Sequence, residues 1–225
     1  MAAPRVSTLL LQASTLFADV SETTLEEIAQ GAQRRTVGRG GTIAFAGEPP
    51  QHLFLIASGV AHSVMTDAAG NQVILSILKP GDHFCDAELL EDSPLASTVV
   101  ARESCEVVMI TKSTFQDLIA RHYPLSLALF RNLLKRVRAA ENRFGSIALK
   151  GLGARLADFL LCEAHVVNGT RVVDTNLTNR DIGRMIGASR EGVSRAMKEL
   201  RARGFLEQRG KSIVLREQIV NVPAG

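Results

Sequence analysis

A chain of 225 residues has room for one large core or two small ones, and its net charge of +3 conceals opposite halves: residues 1–130 carry 8 basic against 14 acidic side chains, residues 131–225 carry 18 against 9. A basic half attracts a polyanion through its summed potential and through counterion release, so the second half is the candidate partner of nucleic acid. The composition argues against other classes: no window nears the ~18 consecutive apolar residues of a membrane span, the first residues lack a charged segment leading into a long apolar core, and Cys85, Cys105 and Cys162 are too few and too scattered for a disulfide framework, an iron–sulfur cluster or a four-thiolate metal site. The expectation is a cytoplasmic protein with reduced thiols and no membrane partner.

Ser21 can cap a short helix whose Leu25 and Ile28 lie one turn apart, ending near Gly31. From Thr36 to Ile110 the texture changes. Runs such as Leu53-Phe-Leu-Ile56, Val73-Ile-Leu-Ser-Ile-Leu78 and Val107-Val-Met-Ile110 alternate with glycines at positions 40, 41, 47, 59, 70 and 81, the pattern of a β-sandwich or barrel. Residues 113–150 read as helical, with Ser113 as a cap and Pro124 where a new helix can start. Leu127, Phe130, Leu134, Val137, Glu141, Phe144 and Ile147 then recur at spacings 3-4-3-4-3-3, close to a heptad seam. That stripe must be buried, either on the β-domain or against the same helix of a second chain. The basic opposite face (Arg131, Lys135, Arg136, Arg138) favours the second arrangement, a homodimer with Leu127, Phe130, Leu134, Val137 and Phe144 at its interface. Gly151 and Gly153 supply a joint before a helix from Arg155 to Ala164.

Leu177 to Leu200 reads as two short helices around a tight turn. Thr178 and Asp181 form a pair resembling a capping box, Gly187 can end the first helix, and Ser189 can cap the second, which Gly204 terminates. Ile182 and Ile186 form one apolar face; Val193, Ala196, Met197 and Leu200 form another. At ~100° per residue, burying Val193 leaves Glu191, Ser194, Arg195 and Lys198 on the solvent side with Arg190 at its edge. Arginine can bridge guanine O6 and N7 and glutamate can accept from cytosine N4, so this face suits a major groove. Beyond Gly204, residues Phe205 to Leu215 alternate around Arg209-Gly-Lys211, a two-stranded wing whose Arg209 and Lys211 can meet phosphates. Nothing supports catalysis: no phosphate loop, no Ser-His-Asp motif context, and no metal-ligand spacing among His52, His62, His83, His122 and His165.

The order of these parts resembles the cyclic-AMP receptor / fumarate-nitrate regulator (CRP/FNR) family. The resemblance covers nearly the whole chain and includes His52-Leu-Phe-Leu-Ile-Ala-Ser-Gly59, Lys79-Pro-Gly-Asp82 and, most specifically, Ile182-Gly-Arg-Met-Ile-Gly-Ala-Ser-Arg-Glu-Gly-Val-Ser-Arg195. It implies an α+β chain: a β-roll effector domain (1–123), a dimerisation helix (124–150) and a winged helix-turn-helix (151–225). It further implies that Arg190, Glu191 and Arg195 read bases, that Ser189 or Ser194 assists or touches phosphate, and that Thr178 and Lys198 belong to the DNA surface. The operator would be an inverted repeat with TGTGA-like or TTGAT-like halves, and an activator would also meet RNA polymerase.

The same resemblance exposes departures. Where cyclic-AMP binders carry Phe-Gly-Glu-x-Ala-Leu-Leu, this chain has Phe84-Cys-Asp-Ala-Glu-Leu-Leu90; where they carry the phosphate-binding arginine, it has Leu95 in Leu95-Ala-Ser-Thr98; and a hydroxyl pair on the long helix aligns with Ala140 and Glu141. Without that arginine a buried phosphate would lack its cation, so cyclic AMP is not the expected effector. The effector residues are expected among Phe84, Cys85, Asp86, Glu88, Ser97, Thr98 and Glu141. Cys85 aligns with the thiolate of a haem-sensing relative, which leaves a haem- or redox-dependent regulator as one alternative and a non-specific architectural DNA binder as another.

Overall fold

The computed structural model describes residues 6–174, 177–210 and 212–223. The chain divides into two compact units, one up to Arg136 and one from Val137. The first opens with helices α1 (Thr8–Gln12) and α2 (Glu22–Gly31) and continues through β1 (Gln33–Val37), β2 (Thr42–Ala44), β3 (His52–Ser58), β4 (Ala61–Thr66), β5 (Gln72–Leu78) and β6 (His83–Phe84). A short helix, α3 (Asp86–Glu91), then leads to β7 (Thr98–Ala101), β8 (Cys105–Thr111), α4 (Lys112–Arg121) and the long α5 (Tyr123–Leu149). The strands form two antiparallel sheets, β1-β8-β3-β6 and β2-β7-β4-β5.

The unbroken apolar run in β3 follows from burial on both faces. Leu53 and Leu55, with Val108 and Ile110, face a core that includes Leu11, Phe17, Leu25, Ile28, Phe115 and Leu118. Phe54 and Ile56, with Val107, turn instead toward Ile43, Phe84, Leu95 and Val99 between the sheets. Each such Leu, Ile or Phe taken out of water stabilises the fold by roughly 1.5–3 kcal/mol. Ser21 caps α2, accepting from the Thr24 amide. Ser113 does not cap α4: Thr111, the last residue of β8, has the extended backbone a cap needs and accepts from Thr114 N.

Helix α5 carries two apolar stripes. Leu125, Ala128 and Leu129 are buried, Leu125 and Leu129 within the core of the first unit. The heptad seam is a different stripe: Phe130 (64%), Leu134 (55%), Val137 (53%) and Phe144 (75%) are exposed in the single chain, and Leu127 is half-buried.

The second unit contains α6 (Leu152–Glu163), β9 (His165–Val167), β10 (Thr170–Asp174), α7 (Asn179–Ile186), α8 (Arg190–Ala202), β11 (Leu206–Arg209) and β12 (Ser212–Leu215). The wing is larger than expected, because β11 and β12 belong to a sheet of order β11-β12-β10-β9. Asn168 and Gly169, both at positive φ, turn β9 into β10, the conformation a tight hairpin of right-twisted strands needs. No described helix is long and apolar enough to cross a membrane.

Candidate nucleic-acid interface and ligand cavity

The turn between α7 and α8 is built from local bonds. Thr178 Oγ1 accepts from Asp181 N at 3.2 Å, while the Asp181 carboxylate accepts from Thr178 N at 3.1 Å and from its hydroxyl at 2.8 Å. Thr178 therefore starts α7, with its hydroxyl engaged there. Gly187, at φ +66, ends the helix in the left-handed region. The chain then folds back so closely that Ala188 N donates to Gly183 O at 2.9 Å. Arg155 reaches over from α6 and donates through Nη1 to the carbonyls of Ile186 (2.9 Å) and Gly187 (3.3 Å). The sequence held no local signal for that contact. Ser189 Oγ accepts from Gly192 N at 3.0 Å and starts α8.

Val193, Ala196 and Leu200 bury one side of α8, leaving Arg190, Glu191, Arg195 and Lys198 exposed and Ser194 half-buried. Among the described residues none of those four charged side chains has an ion-pair partner, so their donors and acceptors are open to a ligand. Arg190, Glu191, Ser194 and Arg195 share one shallow depression with Asn179. A second groove, between α8 and the wing, adds Lys198, Arg201 and Gln208. Asn179, Arg201 and Gln208 were not singled out in the sequence, because only the packing of α7 and β11 beside α8 brings them there. Arg209 is not a free cation: Glu207 accepts from its Nε at 2.9 Å and also from Arg216 Nη2 at 2.5 Å. Lys211 lies outside the described residues.

The first unit holds a half-open cavity of about 290 Å³. Phe84, Cys85, Glu88 and Ser97 line it as expected, together with Ser63, Ser76, Asn132, Lys135 and Arg136, which were not expected there. Asp86 and Thr98 are not on its wall. Asp86 is fully buried, receiving Arg136 Nη1 at 2.7 Å with His83 Nε2 obliquely placed at 3.3 Å. Burial alone would raise its carboxyl, but His83 and Arg136 outweigh that and hold it at about 2. The Thr98 hydroxyl accepts from Ala46 N at 3.1 Å. Glu141 is exposed and belongs to the second unit, whereas the cavity's lining comes from the first. Lys135 and Arg136, which periodicity places on the basic face opposite the seam, are exposed side chains that also line the cavity.

Cys85 stands where the cyclic-AMP pattern has glycine, and it keeps a glycine-like backbone, φ +69 and ψ 11, at a steric cost of roughly 1–2 kcal/mol. Burial, then Glu88 and Asp86, push its thiol up, so it remains protonated at neutral pH. His83 faces Asp86 rather than sharing a regular strand face with Cys85. Among the described residues no cluster of three or more His, Cys, Asp or Glu side chains could hold a metal ion.

A two-sheet roll with a cavity in the first unit, and in the second a helix-turn-helix whose second helix presents charged side chains without ion-pair partners among the described residues, point to a DNA-binding regulator. Residues 34–122 match the cyclic nucleotide-binding domain family, and residues 154–218 match the Crp-like helix-turn-helix domain family. The chain is similar to the cAMP-activated global transcriptional regulator CRP of Pasteurella multocida, 29% identical over 178 residues (77% of this chain, 85% of that protein). It is also similar to the CRP-like cAMP-activated global transcriptional regulator of Mycobacterium tuberculosis, 26% identical over 210 residues (92% and 94%). The solved structure of FixK2 from Bradyrhizobium japonicum shares the fold, with a TM-score of 0.75 at 24% identity, covering 86% of this chain and 98% of that one. The chain belongs to the CRP/FNR family of transcription regulators, and its relatives there are regulators rather than enzymes.

Proposed function

We propose that the chain acts in the cytoplasm as a homodimer that reads an inverted-repeat operator through α8, its affinity tuned by an effector other than cyclic AMP in the cavity of the first unit. The observation that carries this reading is the exposed face of α8, where Arg190, Glu191 and Arg195 stand together without ion-pair partners among the described residues. A surface that only gathers polyanion gains nothing from Glu191, which repels phosphate, so direct base readout accounts for this set better than architectural binding. Selection of bound sequences from random duplexes, at two salt concentrations, tests it: an inverted repeat must emerge. Arg195→Ala is expected to cost ~1–3 kcal/mol on the operator and to relax preference at one base pair, whereas Arg201→Ala weakens all duplexes alike and lowers the salt slope by about 1. Equal losses of both variants on operator and random DNA would argue against base readout.

The exposed seam of α5 supports the homodimer, since large apolar side chains in register over several turns are a pairing surface rather than a solvated one. Leu134→Asp is expected to turn the dimer into monomer in sedimentation velocity and to weaken operator binding with it; a dimer of unchanged stability would place the interface elsewhere. Against cyclic AMP stand Leu95, buried in the sandwich core where the family pattern has a cation, and Glu88 on the cavity wall.

A further inference from the structure

We infer that the cavity of the first unit takes a small zwitterion with an apolar side chain, of the α-amino acid class, its ammonium on Glu88 and its carboxylate at Lys135 and Arg136. This rests on the reading of the chain as an effector-responsive regulator and names the chemistry of the effector.

Glu88 is the starting point. It lines the cavity, and its Oε2 is buried without a hydrogen-bond partner among the described residues. A carboxylate oxygen in that position lacks a donor, which an ammonium supplies. It also opposes any ligand that is only an anion, because two carboxylates in one small cavity repel. Yet the same cavity is bordered by two cations. Lys135 has no carboxylate partner among the described residues, and Arg136 commits Nη1 to Asp86 while its side chain stays 54% exposed. A simple amine would leave that pair unused. A ligand carrying both charges satisfies both requirements.

The rest of the wall sets the body of the ligand. Ile77, Leu78, Phe84, Leu95 and Val99 are apolar, and Ser63 and Ser97 engage each other at 2.6 Å. A volume of about 290 Å³ has room for an amino acid of the size of leucine or phenylalanine.

Isothermal titration of the full-length protein with L-leucine, L-methionine and L-phenylalanine tests the inference, with 4-methylpentanoate and 3-methylbutylamine as analogues lacking one charge each. At least one amino acid is expected to bind, and both analogues of leucine to bind at least about tenfold more weakly than leucine itself if leucine is a ligand. Glu88→Gln, nearly isosteric, is expected to weaken the amino acid at least about tenfold without weakening the carboxylate. Lys135→Ala, at an exposed position that folding does not depend on, is expected to weaken amino acid and carboxylate but not the amine. Binding of none of the three amino acids, carboxylate binding equal to that of leucine, or full affinity in a folded Glu88→Gln protein would each overturn the inference. Operator selection on the same preparation separates the two readings. A protein that enriches an operator but ignores amino acids loses only this inference; one that binds an amino acid but enriches no sequence with or without it loses the regulator reading instead.

Discussion

Gly183→Ala is expected to abolish specific operator binding and to destabilise the second unit by roughly 1–3 kcal/mol, the usual cost of forcing an atom into a packed site. A Cβ on Gly183 would lie 2.4 Å from Ala188 O and 3.4 Å from Ala188 C, distances at which backbone itself must move. That backbone is held by the Ala188 N to Gly183 O bond and, one and two residues earlier, by Arg155 on the Gly187 and Ile186 carbonyls. Relief would shift Ser189 and with it the N-terminal turn of α8, which carries Arg190 and Glu191. Bidentate contacts to base edges tolerate little displacement, so base readout is lost before non-specific affinity. Calorimetric melting and gel shifts on operator and random duplex check this together. A Gly183→Ala protein that discriminates the operator as the parent does would mean the turn does not set the pose of α8.

Arg136→Ala should cost about 2–3 kcal/mol at neutral pH. Removing one partner of a buried pair commonly costs ~3–5 kcal/mol, and the half-exposed Arg136 brings the figure down. The stranded Asp86 carboxylate would keep only the oblique His83 contact. The pH dependence identifies the cause. In the parent, the Asp86 carboxyl is held at about 2, below the ~3.9 of an unfolded aspartate, so its contribution is complete above about pH 4 and is lost as pH falls through 2. In Arg136→Ala burial dominates and raises the folded value, so the deficit is largest at neutral pH and shrinks as the medium is acidified toward pH 4. Urea unfolding at both pH values measures it, and Asp86→Asn in the Arg136→Ala background should recover most of the loss. A deficit independent of pH would assign the effect to lost packing of the Arg136 stem.

The helix-turn-helix was legible because its determinants are local. Thr178, Gly187 and Ser189 act within three or four residues of where they stand, and the 3.6-residue period separates Val193 from Arg195 before any neighbour is known. The seam of α5 was legible for the same reason. The β9–β10 hairpin carried a local signal too, Asn168-Gly169 between valine pairs, although the wing was expected to have two strands only.

The cavity was a different matter. Its cassette residues Phe84, Cys85, Glu88 and Ser97 stood out by their departures from a known pattern, but the cations that face them did not. Lys135 and Arg136 lie on a helix some 50 residues further along the chain, on the side that helical periodicity alone assigns to solvent. Asp86, Thr98 and Glu141 were grouped with the cavity on sequence proximity or alignment, but Asp86 accepts from Arg136 and Thr98 from Ala46 N instead. By itself the sequence determined the order of parts, the exposed charged face of α8 and the apolar seam of α5, since caps, turns and periodicity act over a few residues. Only the tertiary structure decided which charges meet inside the first unit and which surround α8, because a side chain's partner there depends on how elements distant in sequence pack.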